Sequence, residues 1–261
     1  MQFYLTMIVF VFVLISNNLL AVAQDPAKPP SEKISQYDKL IADFTAAIKL
    51  QPKSSRLYQG RGVAYFKAGR FKESVADFDK YLQSHPGEAP YHWQRGISHY
   101  YAGMYKEGVA QFELHRKVNP EDVENAIWHY LCKAKIEGVD KARSALIPIA
   151  KDSRSWAAKA FLLYHEKITP QQYLKEMTDK GGNKPELANR LFYTHLYIGL
   201  FHEARGKASL AKKHITAAWE KYPSSHYMGD VARVHADLFK KKTGKKKESS
   251  SSTAPSVKKK S

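Results

Sequence analysis

Eleven histidines and a single cysteine, Cys132, are the residues of this chain with the most evident chemistry. His92 and His99, and again His195 and His202, are seven apart, which sets each pair on one helix face but two turns, roughly 10 Å, from its mate. Two imidazoles must converge within about 2 Å of one zinc ion, so neither pair chelates alone. A metal would need ligands brought together from several helices. The sequence holds no H-E-x-x-H, no G-x-S-x-G, no glycine–lysine phosphate loop and no paired cysteines. The expectation is a chain that is not an enzyme, with no catalytic residue, no metal and no cofactor. Packing explains the histidines. Cys132, in the apolar pattern IWHYLCKAK, reads as a buried core thiol, and one cysteine allows no intramolecular disulfide.

The glycines raise a different question. Residues 92–120, HWQRGISHYYAGMYKEGVAQFELHRKVNP, spend Gly96, Gly103 and Gly108 on a helical pattern, and a glycine inside a helix costs up to about 1 kcal/mol against alanine. A repeat of 34 residues accounts for them. Pro52, Pro86 and Pro120 keep that spacing, as do Phe44, Phe78 and Phe112. The pairs Arg61/Arg95, Gly62/Gly96, Gly69/Gly103 and Val75/Val109 follow in step. Tyr58, Gly62, Tyr65 and Phe66 mark one helix of a unit; Val75, Phe78, Tyr81 and Leu82 mark the next. Gly69 and Gly103 supply the left-handed turn between helices, and Pro86 and Pro120 close each second helix.

Clear repeats therefore lie near 55–88 and 89–122. A half repeat at 35–52 opens with Ser35 and Asp38 at capping-box spacing, and reads as a cap for the array or as a surface awaiting a second copy. A late repeat near 192–225 places Gly199, Gly206, Ala211, Ala218 and Pro223 in the same slots. Between Glu121 and Ala188 the register is lost but helical spacing persists. Thr169 and Pro170 open one such helix at cap and first-turn positions; residues 179–185 form a loop. No strand alternation occurs, so the fold expected is all-α, a solenoid of helical hairpins with a degenerate middle.

These residues resemble the tetratricopeptide repeat (TPR), whose 34-residue pattern is W-x2-L-G-x2-Y, then A-x3-F, then P. The order of parts over about residues 36–239 is similar to the periplasmic new-lipoprotein-I type of TPR adaptor. That closer resemblance rests on Trp128, Leu131, Asp152, Trp156, Ile168, Tyr197, Gly199 and Gly206. The resemblance implies that Gly62 and Gly96 sit where two helices cross, and that Gly108 takes a slot usually held by alanine. It implies a concave groove lined by the first helix of each hairpin. By that analogy Arg56, Gln59, Phe66, Lys67, Trp93, Tyr100 and Tyr101 face a protein partner, a peptide or a helix. Packing inside the array is the competing place for Tyr100; Trp93 is the better placed for binding. Gln59 and Val63 stand where chaperone-binding TPRs need Lys and Asn, which sets aside the two-carboxylate clamp. Family members are scaffolds that hold cell-wall hydrolases and form homodimers. This chain lacks their lipid-anchor cysteine.

The two ends differ in composition from the rest. Residues 1–23 are uncharged, with an apolar run broken at Ser16-Asn17-Asn18 and followed by Ala21-Val22-Ala23, a signal-peptidase pattern. The expectation is export to the periplasm or the extracellular space, with cleavage after Ala23; an uncleaved membrane anchor is the rival. Residues 24–34 read as a linker. The last 22 residues carry nine lysines against one glutamate, so +8 of the formal net charge of +17 lies there. Residues 240–261 are expected to be disordered and able to attract an anionic polymer or membrane surface. Two readings of function follow: an exported scaffold that binds a protein through its groove, or an envelope-structural, polyanion-binding protein acting through the basic tail.

Overall fold

A computed structural model describes the backbone of residues 30–251 and the side chains of residues 36–240. The leader expected at 1–23, most of the linker and residues 252–261 lie outside the described residues. Among the described residues the chain is all-α, with twelve α-helices, one 3-10 helix and no strand. The helices are α1 (Pro30–Leu50), α2 (Ser55–Lys67), α3 (Phe71–Ser84), the 3-10 helix Pro86–Tyr91, α4 (Trp93–Ala102), α5 (Tyr105–Arg116) and α6 (Val123–Glu137). There follow α7 (Val139–Ser144), α8 (Ala157–Tyr164), α9 (Pro170–Asp179), α10 (Lys184–Ala204), α11 (Ala208–Lys221) and α12 (Tyr227–Ser251). Neighbours in sequence pack as pairs, an arrangement compatible with a helical solenoid.

The glycines divide into two jobs. Gly69, Gly103 and Gly206 have φ of +76°, +77° and +70° and turn the chain between paired helices, a conformation other residues adopt only with strain. Gly62, Gly96 and Gly199 each precede one of these by seven residues and lie at a helix crossing. A Cβ there would stand 2.8 Å from Phe78, 2.7 Å from Phe112 and 2.7 Å from Ile215 respectively, always the residue sixteen positions on. Gly108 has a further reason. The buried hydroxyls of Ser74 and Ser98 meet at 3.0 Å; one repeat later that contact is Gly108 against Cys132, where a Cβ would come within 2.7 Å of the sulfur. Cys132 is buried, and burial pushes its thiol pKa up.

A polar ladder follows the same period. Arg61 donates to Asp77 at 2.7 Å and to Thr45 at 3.1 Å. One repeat on, Arg95 donates to Asp79 at 2.6 Å and to Gln111 at 2.9 Å. A third rung sets His129 3.5 Å from Glu113. The repeat therefore runs through α6, beyond Glu121 where the sequence pattern fades. Helix caps act where chemistry allows: Thr169 and Gln172 form a reciprocal capping box, and Asp122 and Asn183 accept the N–H groups of Glu124 and Glu186.

The structure differs from the sequence expectation at three places. Helix α1 is already formed at Pro30, the first described residue, so Ser35 and Asp38 stand inside it and not at its start. The chain after Pro86 is a 3-10 helix, held by Gln111 donating to Ala89 O at 2.7 Å and His115 against Pro90 O at 2.8 Å. Helix α12 continues to Ser251, into the segment expected to be disordered. Lysine and glutamate propagate a helix well once its buried first turns have nucleated it. Helix α1 buries Leu40, Phe44 and Ile48, while Asp38, Lys39, Asp43 and Lys49 face outward.

Candidate functional site

Helices α2 and α4 present one face to α12, and on that face lie most of the residues assigned to a partner groove. The ring of Phe66 stacks on Tyr227 at 5.1 Å, and Trp93 meets the same tyrosine edge-on at 5.2 Å. Lys67 pairs with Asp230 at 3.1 Å, and its carbonyl accepts from Arg233 at 2.6 Å. The Tyr101 hydroxyl lies 2.8 Å from His235 Nδ1, whose other nitrogen is 3.2 Å from Glu203 on α10. From α1, Tyr37 donates to Asp230 at 3.3 Å, and its ring lies 4.8 Å beneath the Arg233 guanidinium. The C-terminal helix thus lies against α1, α2, α4 and α10.

Its composition suits that place. Met228, Val231, Ala232, Val234, Ala236 and Phe239 are all buried, so this stretch of the helix packs on several sides although it also carries Asp230, Arg233, His235 and Asp237. Arg233 is 4% exposed and His235 2%; buried polar groups of this kind require partners, and the contacts above supply them for His235 and for the terminal nitrogens of Arg233, whose Nε has none. Phe66 and Tyr100 are fully covered, Lys67, Tyr101, Gln59 and Trp93 are half-buried, and Arg56 stays exposed. Tyr100 meets Trp128 edge-on at 5.4 Å and donates to Glu203 at 3.4 Å.

Cover stops near Trp93. Beside the first turn of α12 lies a cavity of about 260 Å³. Trp93, Ile97, Phe112, Trp128 and Met228 form its apolar wall, and His115, Asn119, Asp122, Glu124, Asn125 and Arg154 its polar end. Arg154, from the loop before α8, donates to Asp152 at 2.9 Å and also binds Asp122 and Glu124 at the N-terminus of α6. Tyr197 of α10 donates to Glu124. Burial pushes Glu124 up to about 7, against the pull of Arg154. Burial also pushes Asp122 upward, yet His115 and Arg154 hold it below its ordinary value. For His115 burial works downward, but Asp122 and the Pro90 carbonyl leave it raised. None of Asn119, Asp122, Glu124, Asn125 or Arg154 was singled out in the sequence. The Arg154 cluster joins residues some thirty positions apart, with no local pattern to reveal it.

The histidines spaced seven apart in the sequence fall into two groups. His92 and His99 are buried with no hydrogen-bond partner, and burial pushes both down to about 4. His195 and His214 face each other with Nδ1 atoms 3.0 Å apart, and the His202 ring lies 5.8 Å from that of His214. Among the described residues no three histidine, cysteine or acidic side chains are grouped so as to hold a metal ion. No helix among them is long and apolar enough to cross a membrane. No protein-family model matches the chain, and no curated protein matches its sequence.

Proposed function

We propose that the chain is a tetratricopeptide-type adaptor, exported by its leader, that holds a protein partner where α12 leaves the face formed by α2, α4 and α6 uncovered, beyond Trp93. The observation that carries this reading is the docking of α12. A helix already lies on that face, held by aromatic contacts to Phe66 and Trp93 and by polar contacts to Lys67 and Tyr101. The surface therefore has the chemistry of helix-in-groove recognition, and beyond Trp93 it is open. Partners of the scaffold type are cell-envelope enzymes, as the resemblance suggests. No catalytic role is assigned to the chain.

A second reading has its own observation. Lys212, Lys213 and Lys221 on α11 border an open depression of about 560 Å³ beside His195, and none of them is ion-paired among the described residues. With the lysines of the tail they would suit an anionic polymer or membrane surface. One experiment separates the two. Immobilised full-length mature chain, its Trp93→Ala variant and a chain ending at residue 239 are exposed to envelope extract at low and moderate salt. The adaptor reading expects one partner, identified by mass spectrometry, to be lost with Trp93→Ala and kept without the tail. Loss with the tail alone, steep in salt, supports the polyanion reading instead.

A further inference from the structure

We infer that the α10–α11 hairpin is an acid-sensitive latch, held by a contact between His195 and His214 that a second proton breaks. The Nδ1 atoms of the two rings are 3.0 Å apart and the ring centres 5.0 Å, so the nitrogens face one another. An N–H···N bond needs one protonated and one bare nitrogen, whereas an imidazolium donates from both of its nitrogens. The contact therefore holds while the pair is neutral or shares one charge. With both rings charged, two N–H groups meet head-on. The device does not depend on which partner the chain holds.

The repeat accounts for the pair. Arg61 and Arg95 stand just before the crossing glycines Gly62 and Gly96, and Asp77 and Gln111 stand fifteen residues after them. Those side chains meet across their hairpins, Arg61 donating to Asp77 at 2.7 Å and Arg95 to Gln111 at 2.9 Å. Around Gly199 the same places hold Ile198 and His214. With no arginine to meet, His214 is paired instead with His195.

The surroundings oppose charge on the two rings. Burial, with Lys221 and Lys213 near His195, and with His195, His202 and Lys213 near His214, pushes both down to about 4. The His202 ring, whose buried Nδ1 has no partner, lies 5.8 Å from His214 and is itself lowered by burial, Lys207 and Arg205. Tyr222 stacks on His195 at 5.4 Å. The nearby carboxylates are engaged with α12: Glu220 borders the depression beside His195 but has Lys240 at 3.9 Å, and Glu203 is 3.2 Å from His235. Glu124 of α6 reaches α10 at Tyr197, two residues on and so across the helix. On the side of α9, Arg190 is held by the Met177 carbonyl at 2.8 Å. Histidines lowered in the folded state contribute stability that is complete above pH 6.5 and is lost as pH falls toward about 4. Helix α11 packs directly on α12, so a hairpin that opens also loosens the helix lying over Phe66 and Tyr101.

Two measurements on the full chain test the latch. Imidazole nitrogen resonances of histidine-labelled protein at pH 7 should show opposite tautomers, one ring of the pair carrying its proton on Nδ1 and the other on Nε2. The same tautomer in both rings would overturn the assignment, and this reading needs no variant. Hydrogen exchange, corrected for intrinsic rates, is then compared at pH 7 and pH 5. Amides of α11 should lose protection by at least about tenfold at pH 5 and regain it on return to pH 7. Helices α2 and α3, joined by Arg61 and Asp77 and free of histidine, are the internal control and should keep theirs. His214→Asn keeps a hydrogen-bonding group that takes no proton, and should hold α11 protection at pH 5 within about threefold of its value at pH 7. His195→Asn should do the same, which guards against one variant failing to fold. Protection of α11 that ignores pH in the unaltered chain would overturn the latch. So would loss in α2 and α3 in step with α11, or Asn variants as acid-sensitive as the unaltered chain.

Discussion

The covered and open ends of the inner face are built from the same repeat positions and have different fates. Phe66 and Tyr100 are one repeat apart, and both are buried. Lys67 and Tyr101 are one repeat apart, and both are held by α12, through Asp230 and His235. Gln59 and Trp93 are also one repeat apart, and at Trp93 the cover ends and a cavity begins. An aromatic row on a repeat is therefore core or binding surface according to what the far end of the chain lays over it. Register alone does not decide which.

The largest expected effect breaks the covered end. Phe66→Ala should lower stability by about 3–5 kcal/mol, as large aromatic truncations in a filled core do, measured by denaturant unfolding. Arg233→Ala should cost about 3 kcal/mol, because it removes a buried charged donor from the Lys67 carbonyl and the nearer partner of Asp237, while Asp230 keeps Lys67 and Tyr37. Trp93→Ala, at the rim of the cavity, should cost less than either. Equal losses would erase the contrast between the ends. At the open end the effect should appear in binding instead: Trp93→Ala is expected to lose about 2 kcal/mol of partner affinity, about thirtyfold, by calorimetry.

Titration sharpens the comparison. Glu124, at the open end, is raised by burial to about 7 from 4.5. Its contribution to stability is complete below pH 4.5 and is lost as pH rises toward about 7. His92 and His99, in the packed repeat, are lowered from 6.5 to about 4. Their contribution is complete above pH 6.5 and is lost as pH falls, by about 1 kcal/mol each near pH 5.5. Glu124→Gln should flatten the first slope and His99→Phe part of the second, as read from melting temperature against pH. The smallest effect is expected from removing residues 241–261. Stability should change by under about 0.5 kcal/mol, since the hydrophobic side chains described as buried on α12 end at Phe239, while retention on anionic vesicles should fall.

The local parts of this fold were legible in the sequence. Gly62, Gly96 and Gly199 announced close crossings, and Thr169 with Pro170 announced a helix start, because each is fixed by neighbours within a few turns. The third rung of the ladder was legible only in part, since His129 replaces the arginine of Arg61 and Arg95. Helix α12 was not legible as cover. Asp230, Arg233 and His235 look like surface charges until Lys67, Tyr37 and Tyr101 meet them across more than 130 residues. The candidate cavity escaped for the same reason: Arg154 reaches Asp122 and Glu124 only after α7 and its following loop fold back.

Hydrogen–deuterium exchange of the full chain, with and without its captured partner, tests the assignment of the inner face most directly. The amides of residues 93–102, 119–131 and the first turn of α12 should gain protection on binding, while residues 241–261 should be unchanged. Protection confined to the lysine-rich tail or to α11, with α4 and α6 unaffected, would contradict it.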